Sequence, residues 1–263
     1  MTDSPGITLA CFGLVGTLVT DAGMLERAFA EAIATQGVVS GTSAFARAMA
    51  QVHRARGQSP SDVLSALFPD NQARAQAAQL AFERSVGDAL ARTIATPIPG
   101  AREVLTGLAE SRCRLCVMTW LPRLELSAML HTLGWRDLFS AALTADDVPR
   151  GLPSPDLALA AMLRVGVGDV REVAMVHATA AGVECGRRAG ARIVAGVLTG
   201  PHPAARLRAS GATHVLASIA DLPGVLEGGR PAAAASSERA DDVQRARPTE
   251  VSVPPQKPLE RRV

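Results

Sequence analysis

The chain has 263 residues, 48% of them hydrophobic, and its charged side chains nearly cancel to a net charge of +2. That length and composition suit one large or two small globular domains, and the near-neutral balance gives no electrostatic case for nucleic acid or an anionic membrane surface as a partner. No apolar run approaches the roughly 20 residues of a membrane span, and the opening MTDSPGITLACF carries neither a basic stretch nor a cleavage signature, so the expected location is cytoplasmic.

In chain order, residues 7–12 read as a buried strand that runs into the turn Gly13-Leu14-Val15-Gly16-Thr17. A turn of this kind after a strand leaves backbone N–H groups pointing outward, where a phosphate oxygen could sit. Yet no carboxylate, histidine or lysine lies between Leu9 and Thr20. Residues 22–95 are rich in Ala, Leu, Arg and Gln. The spacing of Leu25, Phe29 and Ile33, and of Leu80, Phe82, Val86 and Leu90, predicts an insertion of about four helices.

From residue 97 to 226 short apolar runs alternate with amphipathic stretches. Strands are predicted at Leu115 to Thr119, Phe139 to Leu143, Val173 to His177, Ile193 to Leu198 and His214 to Leu216. Helices are predicted at Gly100 to Ser111, Pro122 to Leu133, Pro155 to Arg164, Ala180 to Ala189 and Pro203 to Ser210. Such alternation argues for an α/β fold, a Rossmann-like parallel sheet covered on both faces, with residues 7–12 as a central strand. The expected organisation is a core of residues 1–21 and 96–228, a helical cap of residues 22–95, and a tail of residues 229–263. The tail is rich in Pro, Ala, Ser and charge without periodicity, so disorder is expected there.

Two features of the composition narrow the chemistry. The chain has no tyrosine, and its one lysine is Lys257 in the tail, so every cation before it is arginine or protonated histidine. Arginine stays protonated and cannot form a Schiff base, which excludes lysine-type covalent chemistry in the folded part. The four cysteines are Cys11, Cys113, Cys116 and Cys185. Cys113 and Cys116 form a CxxC, but at the start of a strand residues three apart face opposite sides and cannot chelate one ion. No second Cys or His pair supplies further ligands, so reduced core cysteines are expected.

Four segments, in order, resemble the motifs of the haloacid dehalogenase-like superfamily, and more closely its phosphonatase-like hydrolases with a helical cap. The first motif of that family is similar to F-D-x-x-G-T, with a nucleophilic Asp and a second acid two residues on. Here it reads Phe12-Gly13-Leu14-Val15-Gly16-Thr17. The second is a strand ending in Ser or Thr, kept as Thr119. The third resembles G-(K/R)-P-x-P-D and reads Gly-Leu-Pro-Ser-Pro-Asp over residues 151–156, so Leu152 stands where a cation is implied. The fourth resembles G-D-T-x-x-D and reads His177-Ala178-Thr179-Ala180-Ala181-Gly182.

The resemblance therefore implies the scaffold without the reacting groups. Gly13 stands for the nucleophile, Val15 for the general acid/base, Leu152 for the phosphate cation, and Ala178 and Gly182 for the magnesium ligands. Phosphoryl transfer needs a nucleophile, an acid and charge neutralisation together, and Mg²⁺ demands hard oxygen ligands that these side chains lack. No catalytic residue, metal or cofactor is expected, although Mg²⁺ is implied for the family. The leading expectation is a pseudoenzyme that binds a small ligand, or a regulatory protein that binds a partner. A residual cleft is expected from Gly16, Thr17, Thr119, Trp120, Arg150, His177 and Thr179, with a small anionic ligand or a protein as partner, and with a monomer or homodimer. Trp120 has two readings, as a filler of the vacated metal and phosphate space or as core under the cap. The alternative function is phosphohydrolysis of a small phosphorylated metabolite through relocated residues, for which Asp147, Arg150 and His177 are the candidates. A third reading makes the tail the interacting part.

Overall fold

The computed structural model describes residues 6–92 and 95–228, and these fall within one compact unit. The predicted tail, residues 229–263, lies outside the described residues. The strands are β1 (Leu9–Gly13), β2 (Arg114–Thr119), β3 (Ala141–Thr144), β4 (Val173–His177), β5 (Ile193–Val197) and β6 (His214–Leu216). They form one parallel sheet in the order β3-β2-β1-β4-β5-β6. β1, β4 and β5 are buried along their whole length, as their unbroken apolar runs require of strands covered on both faces.

Alternation along the strands sorts side chains between two core layers. Ala10, Phe12, Leu115, Val117, Ala174 and Val176 face one layer, and Leu9, Cys11, Cys116, Met118, Val173 and Met175 face the other. Cys113 joins the first layer and Cys116 the second, so the two halves of the CxxC lie on opposite faces of the sheet. All four cysteines are buried free thiols. Burial pushes the Cys113 and Cys185 thiols up to about 11.

The helices α5 (Ala101–Glu110), α6 (Arg123–Thr132), α7 (Asp156–Val165), α8 (Ala180–Ala189) and α9 (Ala204–Ala209) connect the strands, and α10 (Leu222–Gly228) follows β6. The predicted strands and helices coincide with these elements to within two residues at each end. β3 is the clearest displacement: a short 3₁₀ turn at Arg136–Leu138 delays its start from Phe139 to Ala141.

Between β1 and α5 the chain forms four helices, α1 (Met24–Thr35), α2 (Ser43–Arg54), α3 (Pro60–Leu67) and α4 (Gln72–Arg92). The two crossings between this insert and the sheet are tied together by backbone: Thr20 N–H donates to Thr96 O at 2.9 Å and Ile98 N–H to Leu18 O at 2.8 Å. Phe29, Ile33, Phe82 and Val86 point inward as their spacing predicts. Leu80 does not: it is 65% exposed. It precedes Phe82 by two residues, about 200° around a helix, so both cannot share the buried face. No described helix is long and apolar enough to cross a membrane.

Candidate functional site

The strand order changes direction around β1, with β2 on one side and β4 on the other, and open α/β sheets gather ligands at such a point beyond the strands' C-terminal ends. The loops meeting there are Gly13–Thr17 after β1, Thr119–Trp120 after β2, His177–Thr179 after β4 and Thr199–Pro201 after β5. The insert closes over them, leaving a cavity of about 220 Å³ between the two.

The turn after β1 bonds three of its own donors internally. Gly16 N–H donates to Val19 O at 2.7 Å, while Thr17 and Leu18 N–H both reach Leu14 O, at 3.2 and 2.8 Å. Gly16 itself has φ +80°, a left-handed conformation that favours glycine, and a Cβ there would meet Ala178 and Gly200. Three threonine hydroxyl oxygens are engaged as acceptors. Thr17 Oγ1 accepts from Ala178 N–H at 3.0 Å, Thr119 Oγ1 from Leu121 N–H at 3.1 Å, and Thr179 Oγ1 from Gly182 N–H at 3.2 Å as the N-cap of α8. Thr199 donates to Gly16 O at 2.6 Å.

His177 lies at the end of β4 with 5% of its surface exposed. Its ring stands between Gly13 and Gly182. A Cβ on Gly13 would fall 2.6 Å from His177 Nδ1, and one on Gly182 would fall 2.1 Å from the same atom. Neither distance is compatible with a side chain at positions 13 or 182 while the ring stays where it is. Burial pushes the His177 imidazole down to about 4, so it is neutral, and its Nε2 has no hydrogen-bond partner. Thr17 and Thr119 are buried rather than lining the cavity.

Of the residues the sequence points to, Val15, Gly16, Trp120 and Thr179 line the cavity together. Arg150 does not join them: it pairs with Asp156 through two hydrogen bonds, at 2.7 and 3.0 Å, on the exposed side of the third-motif segment. That pair, with Ser154 as a further donor, holds Asp156 below the ordinary carboxylate range. Asp147 is likewise engaged: burial raises its carboxyl, but the Thr144 N–H and the Arg123 guanidinium outweigh it and lower the pKa. Its ion pairs with Arg123 and Arg164 measure 2.6 and 3.1 Å. Asp147, Arg150 and His177 are therefore three separate structural elements, and the relocated set is not assembled. Leu152 is packed in the core layer beneath the sheet, and Ala178 is 1% exposed.

Trp120 packs against the insert, as its second reading expects, and also lines the cavity. Its ring lies 5.6 Å from Phe82, which in turn stacks 4.5 Å from Phe29, joining the insert to the sheet through three aromatic side chains. The space beside positions 13 and 182 is filled by His177 instead.

The cavity wall also contains residues that sequence reasoning missed. Glu26 of α1 pairs with Arg56 of the α2–α3 loop at 2.7 Å, and with His53 at 3.6 Å. Gly57, with φ +92°, brings that loop against Thr179, whose Oγ1 would lie 2.5 Å from a Cβ at position 57. His202 accepts from Ala180 N–H at 2.8 Å and is pushed down to about 4 by burial, then by Arg206 and Arg56. Arg56 and Glu26 sit in an amphipathic insert where polar residues look like a solvated face, so their spacing carries no signal. As a magnesium site the set fails on donor chemistry: positions 13, 15, 178 and 182 offer no side-chain oxygen. Among the described residues no three His, Cys, Asp or Glu side chains come together where they could hold a metal ion.

Known proteins share both the fold and the sequence. The phosphonoacetaldehyde hydrolase of Bordetella pertussis is 35% identical over 153 residues, covering 49% of this chain and 55% of that protein. Its counterpart in Hahella chejuensis is 29% identical over 160 residues, with 52% and 54% covered. The chain spans about half the length of the curated relatives it matches. Among solved structures, a hydrolase from Pseudomonas syringae superposes with TM-score 0.73 at 25% identity, covering 85% of this chain and 99% of that one. A phosphonoacetaldehyde hydrolase-like protein from Oleispira antarctica gives TM-score 0.74 at 21% identity, covering 86% and 93%, and speaks for the fold alone. A family model described as haloacid dehalogenase-like hydrolase matches residues 14–196. That match takes in well over half of the sequence, and by it the chain belongs to the haloacid dehalogenase-like hydrolase family.

Proposed function

We propose that this chain is a non-hydrolytic member of its family, in which residues 24–92 act as a cap over a cavity that holds a small ligand or presents a regulatory surface to a partner. The observation that carries this reading is the His177 imidazole between Gly13 and Gly182. Positions 13 and 182, which the family motif fills with carboxylates, hold no side chain, and position 177, which it fills with glycine, holds a ring. Attack on phosphorus needs a nucleophile and a proton donor. Val15 and Gly13 supply neither, and the buried, neutral His177 is not among the residues lining the cavity. The relatives named as phosphonoacetaldehyde hydrolases support a common scaffold, and their activity is not carried over with it.

Titration calorimetry with Mg²⁺ tests the reading. The family's chemistry implies Mg²⁺ held by carboxylates, so the expected result is no saturable heat and an unchanged melting temperature. One-to-one Mg²⁺ binding that disappears when Val15 and Thr17 are altered would contradict it.

A further inference from the structure

Resting on that reading of the cavity, we infer that its ligand is a small, largely apolar and uncharged molecule, and that phosphorylated or other anionic compounds are excluded. The space of about 220 Å³ exceeds the roughly 150 Å³ in which an apolar protein cavity takes up benzene. Its walls are mainly apolar, with Leu25, Phe29, Val52, Val63 and Trp120 as the principal surfaces. Burying a matching apolar surface there is favourable at about 25 cal/mol per Å² before the costs of association.

The charges at this cavity argue against an anion. Among the described residues lining it, the charged side chains are Asp21, Glu26 and Arg56, one cation against two carboxylates. Arg56 is already bonded to Glu26 at 2.7 Å, and Asp21 accepts from Leu25 N–H at 3.0 Å. The turn after β1, whose N–H groups would cradle a phosphate, has bonded Gly16, Thr17 and Leu18 internally. An oxyanion entering here would leave water for a site of net negative charge whose one guanidinium is already paired, and such desolvation without pairing is costly. Thr179 keeps a hydroxyl proton, since its oxygen accepts from Gly182 N–H. That proton suits a ligand with one hydroxyl or carbonyl oxygen.

Matched probes of one ring and different charge provide the test. The full chain is titrated with benzyl alcohol, benzoate and inorganic phosphate, followed by thermal shift and by Trp fluorescence excited where these probes do not absorb. Benzyl alcohol is expected to bind saturably and raise the melting temperature, with benzoate weaker by about tenfold or more and phosphate without effect. Leu25→Trp, which places an indole in the cavity from a half-buried position, is expected to abolish benzyl alcohol binding. Glu26→Gln provides an independent arm: releasing Arg56 is expected to raise the affinity for benzoate relative to benzyl alcohol about tenfold. Benzoate or phosphate binding as well as benzyl alcohol, or no response to benzyl alcohol, would overturn the inference. The same samples are incubated with p-nitrophenyl phosphate. Turnover there would sink the non-hydrolytic reading, whereas preferred anion binding without turnover would sink the ligand class alone.

Discussion

Gly13, His177 and Gly182 share one small volume, so no one of them can change size without displacing another. Gly13→Asp alone is expected to restore no hydrolysis, because the other reacting groups are still missing. Pushing a side chain against the imidazole is also expected to cost about 1–3 kcal/mol of stability. His177→Gly opens the opposite defect, a void beside Gly13. Combined, the two changes compensate, and urea denaturation of the double-mutant cycle is expected to show a favourable coupling of about 0.5–3 kcal/mol. Additivity would mean that the ring and position 13 do not compete for space. Protonation is a second handle on the same residue. His177 is pushed from 6.5 down to about 4 by burial. Between those values the unfolded chain binds a proton that the folded chain refuses, so its contribution is complete above 6.5 and falls as pH drops toward 4. That amounts to about 3 kcal/mol, with His202 adding in the same direction. The lowered carboxylates Asp147, Asp156 and Asp169 act in a more acidic window, below their ordinary 3.8. Chemical denaturation across this pH range is expected to give a shallower slope for His177→Leu than for the natural chain, and equal slopes would place the histidine's titration elsewhere.

Among the elements, those buried on both faces were readable from the sequence, because a strand in that position has no polar side to confuse the pattern. β4 coincides with its predicted bounds for this reason, β6 does so although it is a partly buried edge strand, and α8 does so because Thr179 and Gly190 mark its ends. The opposed CxxC was likewise a matter of strand period alone. The insert was readable as helices but not in detail, since an Ala-rich helix says little about which of two neighbouring apolar residues turns inward, and Leu80 was the casualty. Packing between elements was less accessible still. The Phe29–Phe82–Trp120 contact joins residues far apart in the chain, and Trp120 was equally compatible with a role in filling the vacated site. Phe82 is 1% exposed at the centre of that contact. Phe82→Ala is expected to cost about 3–5 kcal/mol and to make the insert more accessible to proteolysis at α4. A loss under about 1 kcal/mol, closer to the effect of a surface change, would show that the stack does not hold the insert to the sheet.

For the molecule as a whole, the proposed reading separates the fold from the family's chemistry. The strand order, the switch point beyond β1 and the turn through Gly16 and Thr17 are those of a phosphoryl-transfer scaffold, and each survives for a packing reason seen here: Thr17 bonds the β4 loop, Thr119 caps its own turn, and Thr179 caps α8. Sequence alone shows that positions 13, 15, 178 and 182 carry no side-chain oxygen. It did not reveal the ring from another strand end that stands between positions 13 and 182, nor the Glu26–Arg56 pair in the cavity wall. The central claim is that the imidazole has replaced the chemistry. It is tested most directly by the steady-state release of phosphate from phosphonoacetaldehyde with Mg²⁺, with the natural chain run beside Leu25→Trp to expose contaminating enzyme. The account predicts the same background rate for both. A Mg²⁺-dependent rate in the natural chain that is lost in Leu25→Trp would contradict it.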